Sequence, residues 1–293
     1  MRPIVKKRFL LLASLGLLVL AAGATLAFRR NIPIFSRGKR PAEPAAAEPK
    51  ASGPVLVELF TSEGCSSCPP ADEVLSELVK AGRVEGAEVV ALEEHVDYWN
   101  HLGWADPYSS AQFSARQEKY SSVFGNDQVY TPQMIIDGQN PFVGSDLGKA
   151  RAAISEAAGA PKATVEISQH PVAGQQVQTK SSSSKVGFSV SVTNVPAARN
   201  QTAVDVLLAV TEDGLSSSVS RGENGGRHLL HDAVVRKLTV IGTINPEDVA
   251  FSAQPSVDIP GKWNRKALHG VVFVQERSTR RVLGAASVNL AVQ

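Results

Sequence analysis

The chain has 293 residues, 43% of them hydrophobic and 20% charged, with a formal net charge of +2. That supplies enough apolar material for about two ordinary domains and excludes a chain disordered throughout. The balanced charge excludes the basic footprint of a nucleic-acid binder. With only two cysteines, three residues apart, a multi-bridge disulfide scaffold and a zinc site made of two Cys pairs are also excluded.

Arg2 to Arg8 carry four positive charges, and Phe9 to Phe28 then run without any charge. The run is long enough to span a bilayer core, and small residues at Ala22 and Ala24 offer a signal-peptidase site. Residues 1–28 are read as a cleaved signal peptide or an uncleaved membrane anchor. Both place the rest of the chain outside the cytosol, as a periplasmic or secreted protein. Pro41, Pro44 and Pro49 among Ala, Glu and Lys make residues 29–53 a semi-rigid linker.

From Val55 the pattern becomes that of a folded domain. Val55 to Phe60 is a short apolar run suited to a buried strand, broken by Thr61 to Gly64. Pro69 to Val79 place Val74, Leu75, Leu78 and Val79 at helical spacing, with Gly82 as a stop. Val89 to Val96 read as a second strand. Asp106 to Phe124 read as a helix with Asp106 at its N-cap and Pro107 at its first position. Met134 to Ile136, the Asp137-Gly138 turn signal and Phe142-Val143 make a hairpin. Ser145 or Asp146 then caps a helix to about Ala158. The expected order over residues 54–160 is βαβαββα, an α/β domain.

After Ala160-Pro161 helical periodicity fades. Val186, Phe188, Val190 and Val192 alternate with small or polar residues, and Val204 to Val210, Val234 to Ile241, Val271 to Gln275 and Leu283 to Leu290 also suit strands. Residues 161–293 are expected to form an all-β, sandwich-like domain.

Cys65-Ser66-Ser67-Cys68 falls between the first strand and the first helix. A helix start presents unpaired N–H groups and the positive end of the macrodipole, which favour a thiolate. Two intervening residues let one sulfur reach the other. Cys65 is therefore assigned as nucleophile and Cys68 as resolving cysteine. Pro69-Pro70 directly after Cys68 set a competing expectation, a helix that begins at Cys68. Thr131-Pro132, just before a strand, suits a cis bond packed beside the cysteines.

These features together resemble the thioredoxin superfamily over about residues 54–158. More narrowly, four segments resemble the exported proteins of domain of unknown function family 1223: Glu58 to Pro70, His95 to Trp99, Val129 to Gln133 and Arg221 to Asn224. The resemblance implies a thioredoxin-like fold and a redox cysteine motif, and it names no substrate. A buried acid behind the cysteines, Glu58, would serve as proton acceptor or else reach solvent. Tyr98, Trp99 and Trp104 either line a groove or pack a core. Arg221 to Asn224 either touches the cysteine loop or is a solvated turn. His95, His101, His228 and His231 are read as ordinary loop or core histidines, and no metal site is assigned.

The expected function is an exported thiol-disulfide oxidoreductase. Its catalytic residues are Cys65, Cys68, Thr131, Pro132 and Glu58, its substrates exported proteins, and its redox partner unidentified. It uses no cofactor beyond the cysteine pair and meets the membrane only through an uncleaved N-terminal helix. The alternatives are a non-enzymatic interaction protein and a copper or zinc metallochaperone.

Overall fold

The structure, a computed structural model, describes residues 53–126, 128–172, 183–196 and 202–291. The expected signal or anchor lies outside the described residues, as does the linker up to residue 52. Among the described residues no helix is long and apolar enough to cross a membrane.

Strand β1 (Val55–Thr61) is buried along its whole length, so apolar residues occupy both of its faces. In α1 (Pro69–Ala81) the two prolines take the first helical positions, where an N–H has no helical acceptor, and left-handed Gly82 closes the helix by donating to the Leu78 and Val79 carbonyls. β2 (Arg83–Val84) and β3 (Ala87–His95) form a hairpin. α2 (Ala111–Phe124), β4 (Gln133–Ile136), β5 (Gln139–Val143) and α3 (Leu147–Ala158) follow. The Asp137-Gly138 turn has positive φ at both residues. A Cβ on Gly138 would lie 1.9 Å from the Arg280 carbonyl oxygen, so only glycine fits.

The second half is built of strands: β6 (Thr164–Pro171), β7 (Ser184–Thr193), β8 (Val204–Glu212), β9 (Leu215–Ser218), β10 (His228–His231) and β11 (Val234–Ile244). β12 (Ala250–Ala253), β13 (Ser256–Ile259), β14 (Leu268–Glu276) and β15 (Val282–Asn289) complete it. Along β7, Val186, Phe188, Val190 and Val192 alternate inward, as their spacing requires, and pack on Val206, Leu208 and Val272 of the neighbouring sheet.

The expected fold, a βαβαββα thioredoxin-like domain followed by a separate all-β domain, is corrected by the strand pairing. Strand makes up 44% and helix 20%, so the protein is mostly β. β2 is inserted between α1 and β3, and one mixed nine-stranded sheet runs β15-β14-β8-β11-β3-β1-β4-β5, with β2 also on β3. The join is the parallel contact of β11 with β3, through Val234 opposite Glu93 and a 2.9 Å bond from the Glu93 N–H to the Ala233 carbonyl. The physical reason is that β3, paired only with β1 and the two-residue β2, would leave much of an edge open, and a strand from the second half covers it. Pairing partners so far apart in sequence leave no local signal.

Within this sheet the odd-numbered residues of β1 and β3 share one face with α1 and α3, where Val55, Val57, Leu59, Leu75, Leu78 and Ile154 form a core. The even-numbered residues face α2, where Leu56, Val90, Leu92 and Phe113 pack against Leu207, Val235 and Phe273.

Candidate functional site

Cys65 and Cys68 form a disulfide in the turn between β1 and α1. Helix α1 starts at Pro69 with Cys68 at its N-cap, so the macrodipole acts first on Cys68. The turn is closed by bonds from the Cys68 N–H to the Cys65 carbonyl (3.2 Å) and from the Ala71 N–H to the Cys68 carbonyl (2.8 Å). Cys65 and Cys68 are buried, whereas Ser66 and Ser67 are exposed. The Ser67 hydroxyl lies 3.3 Å from Cys65 Sγ, and since a disulfide sulfur carries no proton, Ser67 donates.

Across from the disulfide is the β4 entry loop. The Thr131-Pro132 bond is cis, and the Thr131 carbonyl oxygen lies 3.8 Å from Cys65 Sγ. Trp99 Nε1 donates to the Thr131 hydroxyl at 2.9 Å, and Gln117 Nε2 donates to the Tyr130 carbonyl at 2.7 Å. Tyr98 donates in turn to Gln117 Oε1 at 3.1 Å, and burial pushes its phenol up to about 12.

A loop of the second half closes over the cysteine turn. The buried Asn224 side chain donates to the carbonyls of Glu63 and Cys65, each at 2.9 Å. Glu223 accepts from the Ser66 N–H at 3.0 Å. Gly222, at φ 79, lies so close to Trp104 that a Cβ would stand 3.3 Å from that residue's Cβ. The Arg221 to Asn224 segment is therefore a clamp on the cysteine turn, the contact its sequence left open.

Behind the disulfide lies a buried ionic cluster. Glu63 precedes Cys65 by two residues, and Asp72 lies one helical turn after Cys68. Glu93 and His95 project from the same face of β3, and His231 arrives at the end of β10. All five are fully or almost fully buried. His231 Nδ1 lies 3.0 Å from Glu93 Oε1, and its Nε2 lies 3.3 Å from Glu63 Oε1. His95 Nδ1 donates to Asp106 Oδ2 at 2.7 Å, while the same oxygen accepts from the Glu63 N–H at 2.9 Å. This explains why Asp106 is not the cap of α2: its carboxylate is held by tertiary partners, and Ser110 caps the helix four residues later.

The cluster shifts its members strongly. Burial opposes charge on His231, yet Glu93 and Glu63 beside it hold its imidazole up at about 10. His95 is likewise raised, burial being outweighed by Asp106. Burial and then the charge of Glu93 push Asp72 up to about 8, with Thr61 Oγ1 donating to it at 2.6 Å. Burial would raise Glu93 too, but His231 holds it low.

Glu58 is not part of this group. It lies on the α2 face of β1, opposite α1, where Arg116 Nε and Nη2 reach its Oε1 at 2.8 and 2.5 Å and the Tyr120 hydroxyl donates to its Oε2. Glu94 shares that face, 3.2 Å from Arg116 Nε, with burial pushing it up to about 8. The structure thus brings together Cys65, Cys68, Thr131 and Pro132 and leaves Glu58 across the sheet. Glu63, Asp72 and Glu93 carry no role in the sequence reading. Their signal is the run Glu93-Glu94-His95, three ionisable residues ending an apolar strand, since buried charge in a strand requires partners.

No curated protein matches the chain. Among solved structures, a structural-genomics target from Agrobacterium tumefaciens is similar at 24% identity, covering 84% of this chain and 98% of that one with a TM-score of 0.56. HBP35 of Porphyromonas gingivalis is similar at 15% identity, covering 84% of this chain and 80% of that one with a TM-score of 0.59. At these identities the likeness is one of fold. The sequence matches the family described as "Protein of unknown function (DUF1223)" over residues 56–275, well over half its length, and the chain belongs to that family.

Proposed function

We propose that the chain is an exported thiol-disulfide oxidoreductase acting on protein substrates through Cys65 and Cys68. The observation that carries this reading is the placement of the disulfide at a helix start, with Cys65 Sγ 3.8 Å from the Thr131 carbonyl oxygen on the facing loop. A static bridge closing so short a loop removes little unfolded-state entropy, so stability alone is a poor reason for it. Thr131 supplies main-chain groups beside the sulfur, where an extended client segment can pair as an added strand.

The exchange runs in two displacements. The Cys65 thiolate attacks one sulfur of a client disulfide, forms a mixed disulfide and expels the other client sulfur as a thiolate. The Cys68 thiolate then attacks Cys65 Sγ, closes the Cys65–Cys68 disulfide and releases the second client thiolate. Two electrons pass to the client, and a dithiol partner protein restores the reduced pair. Run in reverse, the same steps oxidise a client dithiol. Ser67, which donates to Cys65 Sγ, stabilises the thiolate in either direction. Because the Arg221 to Asn224 clamp covers the turn, client access requires that clamp to open.

Insulin reduction by the pre-reduced full-length protein tests the proposal. The wild type should cleave insulin disulfides, and Cys65→Ser should not. A wild type no faster than the Cys65→Ser/Cys68→Ser variant would refute the enzymatic reading.

A further inference from the structure

We propose that Glu93, His95 and His231 form a buried site for one divalent transition-metal ion, with Asp106 and Glu63 behind the two imidazoles. The three residues present ligand atoms that all lie within 4.8 Å of one another, on fully buried side chains. The inference uses different residues from the thiol chemistry and does not depend on it.

Each of four side chains has one polar atom fixed and one buried atom without a hydrogen-bond partner among the described residues. Trp104 Nε1 holds Glu63 Oε2 at 2.7 Å, leaving Oε1. Asp106 holds His95 Nδ1 at 2.7 Å, leaving Nε2. His231 Nδ1 and Glu93 Oε1 hold each other at 3.0 Å, leaving His231 Nε2 and Glu93 Oε2. His95 Nε2 lies 3.8 Å from Glu93 Oε1, the oxygen that is also 3.0 Å from His231 Nδ1, while His231 Nε2, across its ring, lies 3.3 Å from Glu63 Oε1. Tetrahedral bonds of about 2.1 Å place ligand atoms about 3.4 Å apart, so Glu93 Oε1, His95 Nε2 and His231 Nδ1 need only small shifts to meet on one ion.

Two features suit a metal rather than a hydrogen-bond network. A histidine ligand usually gives its other ring N–H to a carboxylate, and both rings have such a partner, Asp106 on His95 Nδ1 and Glu63 Oε1 beside His231 Nε2. Three carboxylates around two imidazoles also favour a cation. The mixed nitrogen and oxygen set fits zinc or a neighbouring first-row ion and disfavours magnesium. The ion would fasten β3 of the first half to β10 of the second, a cross-brace beneath the disulfide turn.

The test uses the full-length chain in detergent, stripped with chelator and kept oxidised so that no thiolate is present. Calorimetric titration should show one equivalent of zinc bound and no binding of magnesium. The Cys65→Ser/Cys68→Ser variant should bind zinc equally well, and Asp106→Asn should bind about 10–100-fold more weakly. Cobalt(II) added to the wild type reads the ligands without any substitution. It should give ligand-field bands and no thiolate charge-transfer band, even after reduction. Absence of zinc binding, equal magnesium binding, or a cobalt–thiolate band would overturn the proposal.

Discussion

The Asn224 side-chain amide, from the second half of the chain, donates to the Cys65 carbonyl at 2.9 Å and so holds the disulfide turn from outside its own half. The same nitrogen reaches the Glu63 carbonyl, and Arg227 Nη1 fixes the amide oxygen at 2.9 Å. Asn224→Ala leaves two buried carbonyls without this donor, a cost of about 1–3 kcal/mol. Urea unfolding should show that loss, and a phosphine should reduce the Cys65–Cys68 bond severalfold faster than in the wild type. Unchanged stability and reduction rate would show that the clamp does not secure the turn.

Glu223 makes the clamp sensitive to acid. Hydrogen bonds from the Ser66 side chain and N–H hold its carboxylate below the ordinary 4.5. A lowered acid contributes its full hold above the ordinary value and loses it as pH falls through the lowered one. Phosphine reduction of the wild type, relative to Glu223→Ala at each pH, should therefore be slower near neutrality and converge on the variant in acid. A constant ratio across that range would contradict this.

The Glu58–Arg116–Glu94 group should govern stability and not exchange. Arg116→Leu strands two buried carboxyls, which should cost about 3–5 kcal/mol. Glu58→Gln should lower stability and leave the insulin reduction rate and its pH profile unchanged, because Glu58 faces α2 across the sheet from α1. A shifted pH profile in Glu58→Gln would return Glu58 to the chemistry.

Trp99 fixes the hydroxyl of Thr131. Trp99→Phe removes a single hydrogen bond of about 0.5–1.5 kcal/mol, so client capture should weaken by about two- to tenfold. The amount of trapped client in a Cys68→Ser background reads this. Unaltered capture would mean that the Thr131 loop does not meet the client.

The local parts of the fold were readable from sequence because their causes are local. The apolar run Val55 to Phe60, the prolines at the start of α1, Gly82 at its end and the Asp137-Gly138 turn all declare themselves within a few residues. The start of α2 was misread because Asp106 has the chemistry of a cap, yet His95 and the Glu63 N–H claim its carboxylate. The cysteine turn was legible, but its burial was not: the Asn224 loop and His231 come from far along the chain, and periodicity carries no information about such partners. The same limit hid the pairing of β11 with β3, which joins the expected domains in one sheet.

Attack by Cys65 and resolution by Cys68 leave distinct signatures in a trapping experiment. Acid-quenched, non-reducing electrophoresis of exported wild type, Cys65→Ser and Cys68→Ser should show mixed disulfides with client proteins accumulating in Cys68→Ser, where attack survives and escape does not. Cys65→Ser should trap few or none. Equal trapping by both variants would contradict the assignment, and no trapping by either, with a wild type that stays fully bridged, would contradict the oxidoreductase account itself.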